Sequence, residues 1–116
     1  MSESEIVADV RLALSKGPNR LFRNNVGALM DARGRLVSYG LCVGSSDLIG
    51  WRTVEITPEM IGRKIAVFVA LEGKMPGAYM TKEQQLFVEA VERAGGISGM
   101  FRSVQEADAI LRGETE

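Results

Sequence analysis

"VFVALEGKMPGAYMTKEQQ", residues 67–85, carries the pattern on which the fold turns. An apolar run with the look of a buried strand ends in Glu72 and Lys74, with one glycine between them. A loop containing glycine and proline follows, and Thr81 then opens a helical pattern. Strand, loop and helix in succession belong to an α/β layer arrangement. Charges are seldom fully buried unless they are paired or bound to a metal. Glu72 and Lys74 are therefore either a salt-bridged lid at a strand end or half of an active site.

Working outward, "RKIAVFVAL" before the pair is apolar on both faces, which predicts a central strand. "TKEQQLFVEAVERAGG" predicts a helix from a Thr81 cap to a glycine stop, "ISGMF" a short strand, and "SVQEADAILR" a last helix with a capping box at Ser103 and Glu106. Toward the N-terminus, "SESEIVADVRLALSK" reads as a helix with Ser2 and Glu5 at capping-box spacing. "DARGR" is a turn joining the arms of a hairpin, and "LIGWRTVEI" is a further strand. "TPEMIG" suits a short turn or a single helical turn. The expectation is a single α/β domain over residues 1–116, with one mixed sheet flanked by helices.

Composition narrows the chemistry. The chain has 116 residues, no histidine and one cysteine, which argues against a zinc site and against Ser-His-Asp or Cys-His catalysis. Carboxylates, lysines, hydroxyls or a hard cation must do any chemistry. No apolar run approaches the roughly 20 residues of a membrane span, and "MSESEIVADV" lacks the order of a signal peptide, so the expected location is the cytoplasm. Net charge is −1, yet Arg11, Lys16, Arg20, Arg23, Arg33 and Arg35 meet only Asp31 between residues 11 and 35. Such a face either meets phosphates or is a solvated surface.

Five positions compete for functional roles. Strand alternation puts Glu72 and Lys74 on one face with Ala66, Phe68 and Ala70. A carboxylate and an ammonium side by side suit phosphodiester hydrolysis, the one holding a cation and the other stabilising charge on phosphate. Asp47, in "GSSDLIG", would add a second hard oxygen ligand, with the Gly73 carbonyl as a third, or it caps a turn. At about 100° per residue, Glu3 falls on the stripe of Ile6, Val10, Ala13 and Leu14, and Glu5 nearly opposite. Gln84 lies on the side of Phe87, Val88 and Val91, but its spacing from Thr81 also fits a capping box.

Taken together, "ESEI", "FRNNVG", "GSSDLIG", "LEGK", "TKEQQLF" and "AGGISGMFRS" resemble a virus-type replication–repair nuclease domain (VRR-NUC) from about Glu3 to Leu111. That family is a branch of the PD-(D/E)xK nucleases, and the resemblance is to its small stand-alone phage members. It implies an α-β-β-β-α-β-α core and a metal-dependent DNA endonuclease acting on branched DNA such as four-way (Holliday) junctions. Asp47 and Glu72 would bind Mg²⁺ or Mn²⁺, with the Gly73 carbonyl beside them. Lys74, Glu3 and Gln84 would complete the catalytic set. Arg20, Arg23, Asn24, Asn25, Ser45 and Ser46 become candidates for DNA contact. A homodimer in a phage or bacterial host cell is implied, since two nicks across a symmetric junction call for two sites. The alternative is a nuclease-fold DNA-binding module with weak or no catalysis. One departure stands out: the family usually places an apolar or β-branched residue between the Glu and the Lys, and here it is Gly73.

Overall fold

Ten short elements form in the order α1 (Glu3–Leu14), β1 (Asn19–Arg23), β2 (Gly27–Met30), β3 (Leu36–Tyr39), β4 (Leu48–Arg52), a 3₁₀ turn (Pro58–Met60), β5 (Val69–Gly73), α2 (Lys82–Arg93), β6 (Ile97–Phe101) and α3 (Val104–Arg112). They come from a computed structural model that describes residues 2–114. The chain makes two compact units, one running to Arg52 and one from Thr53 onward. Among the described residues no helix is long and apolar enough to cross a membrane.

The expected single mixed sheet is not formed. The strands pair two by two: β1 with β4 and β2 with β3 antiparallel, β5 with β6 parallel. Each strand can be only as long as its partner. β4 stops at Arg52, short of the predicted "TVEI", because Arg52 pairs with Asn19 at the start of β1. β5 begins at Val69 rather than near Lys64, because β6 is confined to five residues between Gly96 and the Ser103 helix cap. The fold is thus a small mixed α/β arrangement of three helices and short sheets.

In the first unit, Ser2 caps α1 in a complete capping box with Glu5, as its spacing predicts. The predicted inward stripe is not inward, however. Ile6, Val10 and Leu14 are 49%, 37% and 52% exposed, and Val7 is the half-buried residue of the helix. Ser15 fastens the end of α1 to β1 by accepting the Leu21 N–H at 2.8 Å. Phe22 and Trp51 stack from paired strands with centroids 5.5 Å apart. The β2–β3 hairpin turns on Asp31, whose carboxylate accepts the N–H groups of Arg33 and Arg35 and pairs with the Arg35 guanidinium at 3.0 Å. The Arg35 amide chiefly holds that carboxyl below its ordinary range, with the Arg33 amide and the Arg35 side chain adding to it.

The second unit is a β-α-β-α sandwich. β5 has one strand neighbour among the described residues, and α2 packs on the face of Ala70 and Glu72, whereas Val69 on the opposite face is 42% exposed. Ser98 donates to the Val88 carbonyl at 2.6 Å, which ties α2 to the face of Ala70, Glu72 and Ser98. On the opposite face a Cβ at Gly99 would lie 3.0 Å from Ile110, so α3 packs against β6 at Gly99. Val88, Val91 and Ile110 are the buried core, each contributing about 1.5–3 kcal/mol. Thr81 and Gln84 form the predicted capping box of α2. At α3 the box is incomplete: Ser103 accepts the Glu106 N–H, but the Glu106 carboxylate accepts from Arg102 instead of Ser103.

Candidate functional site

Each unit holds a group of the residues singled out by sequence. In the first, α1 and the facing ends of β1 and β4 enclose a small cleft of about 70 Å³, lined by Glu3, Ser4, Val7, Arg23, Asn25 and Asp47. Glu3 therefore reaches the cleft from an exposed position on α1 rather than by pointing into a core. Two carboxylates and a guanidinium share this space. Arg23 is held toward Asn25 by a 3.0 Å bond from its Nε to the Asn25 Oδ1.

The loop that presents Asp47 is fixed by Asn24. Its Nδ2 donates to the Ser45 Oγ at 2.7 Å and to the Ser46 carbonyl at 2.9 Å, and its Oδ1 accepts the Leu41 N–H at 2.9 Å. Its backbone N–H adds a bond to the Asp47 carbonyl at 2.8 Å. "FRNNVG" and "GSSDLIG" are thus two halves of one clamp. Asn24 positions this loop through its side-chain amide. Ser45 is likewise engaged, its hydroxyl donating to the Cys42 carbonyl at 2.7 Å. Arg20 donates to the carbonyls of Gly17 and Asn19, at 2.8 and 2.6 Å. The turn-capping role considered for Asp47 falls to Ser45, while among the described residues the Asp47 side chain makes no hydrogen bond and Ser46 contributes its carbonyl.

Removing the Asn24 amide tests the clamp. Asn24→Ala removes the partner of the Leu41 N–H and of the Ser46 carbonyl and one partner of the Ser45 hydroxyl, and should cost about 0.5–1.5 kcal/mol. Faster hydrogen exchange at the Leu41 amide is the expected sign, and unchanged protection there would show that the loop holds without Asn24.

In the second unit, the α2 side of β5 carries a cleft of about 430 Å³ lined by Ala70, Leu71, Glu72, Glu83, Gln84, Phe87 and Val88. Glu72 and Gln84 are therefore brought together, both half-buried. Gln84 performs its capping role too, its Oε1 accepting the Thr81 N–H at 3.0 Å. Its amide nitrogen remains for the cleft, so the two readings of this residue do not exclude each other. Alternation sets Lys74 on the Glu72 face, and its N–H continues the ladder to the Phe101 carbonyl at 3.0 Å.

The salt-bridge reading of Glu72 and Lys74 is not met. Among the described residues the ion pairs are Asp31–Arg35 and Asp108–Arg112, both on exposed turns or helices. Comparison of the chain with family models, with curated proteins and with solved structures finds no match. The chemistry must be read from the residues.

Gly73 has a local cause that the sequence hides. A Cβ there would stand 2.9 Å from the Phe101 Cζ, so the aromatic ring of the paired residue fills the space of the missing side chain. Gly73→Ile should displace that ring and cost about 1–3 kcal/mol. In a Phe101→Leu background the same change should cost less by about 0.5 kcal/mol or more, read as the coupling in a thermal-unfolding double-mutant cycle. No coupling would separate Gly73 from Phe101.

The residues suit a hard cation in kind: Glu3, Asp47 and Glu72 offer carboxylate oxygen and Gly73 a carbonyl. Among the described residues no three His, Cys, Asp or Glu side chains gather around one point. Mg²⁺ is commonly held by one or two carboxylates with waters and substrate phosphate, a number that each cleft supplies by itself: Glu3 and Asp47 in the first unit, Glu72 and Glu83 in the second.

Proposed function

We propose that the chain is a metal-dependent DNA endonuclease of the VRR-NUC kind, with the PD-(D/E)xK core, hydrolysing phosphodiester bonds in branched DNA such as four-way junctions. The observation that carries the reading is a half-buried Glu72 with no ion-pair partner among the described residues, sharing a strand face with Lys74 and a cleft with Gln84. A carboxylate left without a counter-charge at a strand end is poorly explained by stability alone. The company of Glu3 and Asp47 in the cleft of the first unit supports it further.

In this proposal Asp47 in the first unit and Glu72 in the second are each a carboxylate ligand for Mg²⁺ or Mn²⁺. A bound cation would supply charge stabilisation at the phosphate and a more acidic water. Lys74 places its ammonium where charge develops on the phosphate oxygens, Gln84 orients Lys74 or the water through its amide, and Glu3 acts on the cation side. Arg23 and Asn25 remain as strand contacts. A homodimer fits the two-fold symmetry of a junction. The exposed apolar residues of the hairpin support it: Met30 and Leu36, paired across β2 and β3, are 63% and 70% exposed.

The test is incubation of the purified protein with a labelled four-way junction and with linear duplex, each in Mg²⁺, Mn²⁺ or EDTA. Cutting that needs a metal and prefers the junction is expected. Binding without metal-dependent cutting would favour a DNA-binding module.

A further inference from the structure

We propose that Tyr79 and Arg102 form a platform for an unstacked base of single-stranded DNA at the carboxyl ends of β5 and β6. The inference deepens the nuclease reading by naming a strand contact on which that reading is silent. The Arg102 guanidinium lies 5.1 Å over the centroid of the Tyr79 ring. Its Nη2 donates to the Ala78 carbonyl at 2.6 Å, and its backbone N–H to the Glu106 carboxylate at 2.7 Å. The cation is therefore fixed in position, yet among the described residues no carboxylate pairs with its guanidinium.

Tyr79 is 75% exposed, and Met75, in the same loop between β5 and α2, is 76% exposed. An aromatic ring kept in solvent by a fixed cation on one side offers its remaining surface to another planar group. The Lys74 N–H bond to the Phe101 carbonyl brings Lys74 alongside Arg102 at the same end of the parallel pair. A fixed cation on an exposed ring, with Lys74 in the strand beside Arg102, matches a nucleotide, with phosphate for the charges and a base for the ring. A phosphate alone would leave the ring unused. A blunt duplex keeps its bases stacked inside, so the ligand is a strand with an accessible base, as at a branch point.

The test is fluorescence anisotropy in EDTA, so that no cutting occurs. The probes are a fluorescein-labelled single strand of about 16 nucleotides and an abasic strand of the same length. Stacking worth about 1 kcal/mol or more predicts that Tyr79→Ala weakens binding of the normal strand about fivefold or more. Tyr79→Phe should bind as the parent does, which guards against loss of the fold. On the abasic strand Tyr79→Ala should match the parent, and Arg102→Ala should weaken both strands. Unchanged binding of the normal strand by Tyr79→Ala or Arg102→Ala overturns the proposal, as does an equal loss on both strands for Tyr79→Ala or a parent that does not bind. If the platform behaves as expected and no metal-dependent cutting is found, the nuclease reading alone fails. Metal-dependent cutting with unchanged Tyr79→Ala binding removes the platform alone.

Discussion

Gly50→Ala is expected to destabilise the unit that ends at Arg52 more than any other single methyl group added to a strand there. Gly50 sits in β4 opposite Leu21, and a Cβ at this position would fall on the backbone carbonyl oxygen of Arg20. A side-chain end could swing away, but a paired backbone cannot move without opening the β1–β4 ladder. Overpacking of this kind costs about 3 kcal/mol at the upper end of its usual range. Trp51, the only tryptophan of the chain, is the next residue and packs on Phe22, so its fluorescence reports this unit. With a urea slope of about 1–2 kcal/mol per molar, the midpoint should fall by roughly 2 M. An unmoved midpoint would mean that the ladder is looser around Gly50 than the close approach of the strands implies.

The second large effect concerns Lys74. If its ammonium faces developing charge on phosphate, Lys74→Ala should slow cutting by about 10²–10³-fold, far more than it weakens DNA binding in EDTA. The comparison with Asp47→Ala is informative, because loss of a metal ligand should cost at least about 100-fold and be partly offset by raising the metal concentration. Lys74→Ala should show no such rescue. A Lys74→Ala protein that cuts at the parental rate would return Lys74 to a solvated strand end.

What could be read from the sequence was local. Thr81 with Gln84 and Ser2 with Glu5 are caps whose partners lie three residues apart, and both form as their spacing predicts. The Asp31 turn and the β2–β3 hairpin are of the same kind. Contacts between distant segments were not legible. The bonds from Asn24 reach 17 to 22 residues along the chain, and nothing in "FRNNVG" distinguishes a clamp from a DNA contact. The exposed apolar side of α1 shows the limit of periodicity: the stripe was identified, but the sheet that would have covered it is a short two-stranded ladder.

Gly73 and β5 teach the same lesson from opposite directions. An apolar run on both faces predicts a strand between strands, whereas among the described residues β5 pairs with β6 alone, α2 lies on one face and Val69 on the other is 42% exposed. Gly73 departed from the expected residue type, and only the pairing with Phe101 accounts for it. For the candidate site, strand alternation and helix period point Glu72 and Gln84 toward a common face, and the two share a cleft, whereas Glu3 meets Asp47 from an exposed helix position that its apolar stripe does not predict. It did not single out Arg102 and Tyr79, since their contact joins a loop to a strand end 23 residues later.

The central claim is that the carboxylates serve a metal and not the fold. The most direct measurement compares the parent protein with Asp47→Asn and Glu72→Gln, near-isosteric changes that remove charge, for junction cutting in Mn²⁺ and for junction binding in EDTA. Cutting lost by about 100-fold or more in both variants, with binding and thermal stability kept, is the predicted result. Cutting that survives either substitution, or a parent that never cuts in the presence of metal, would contradict the account.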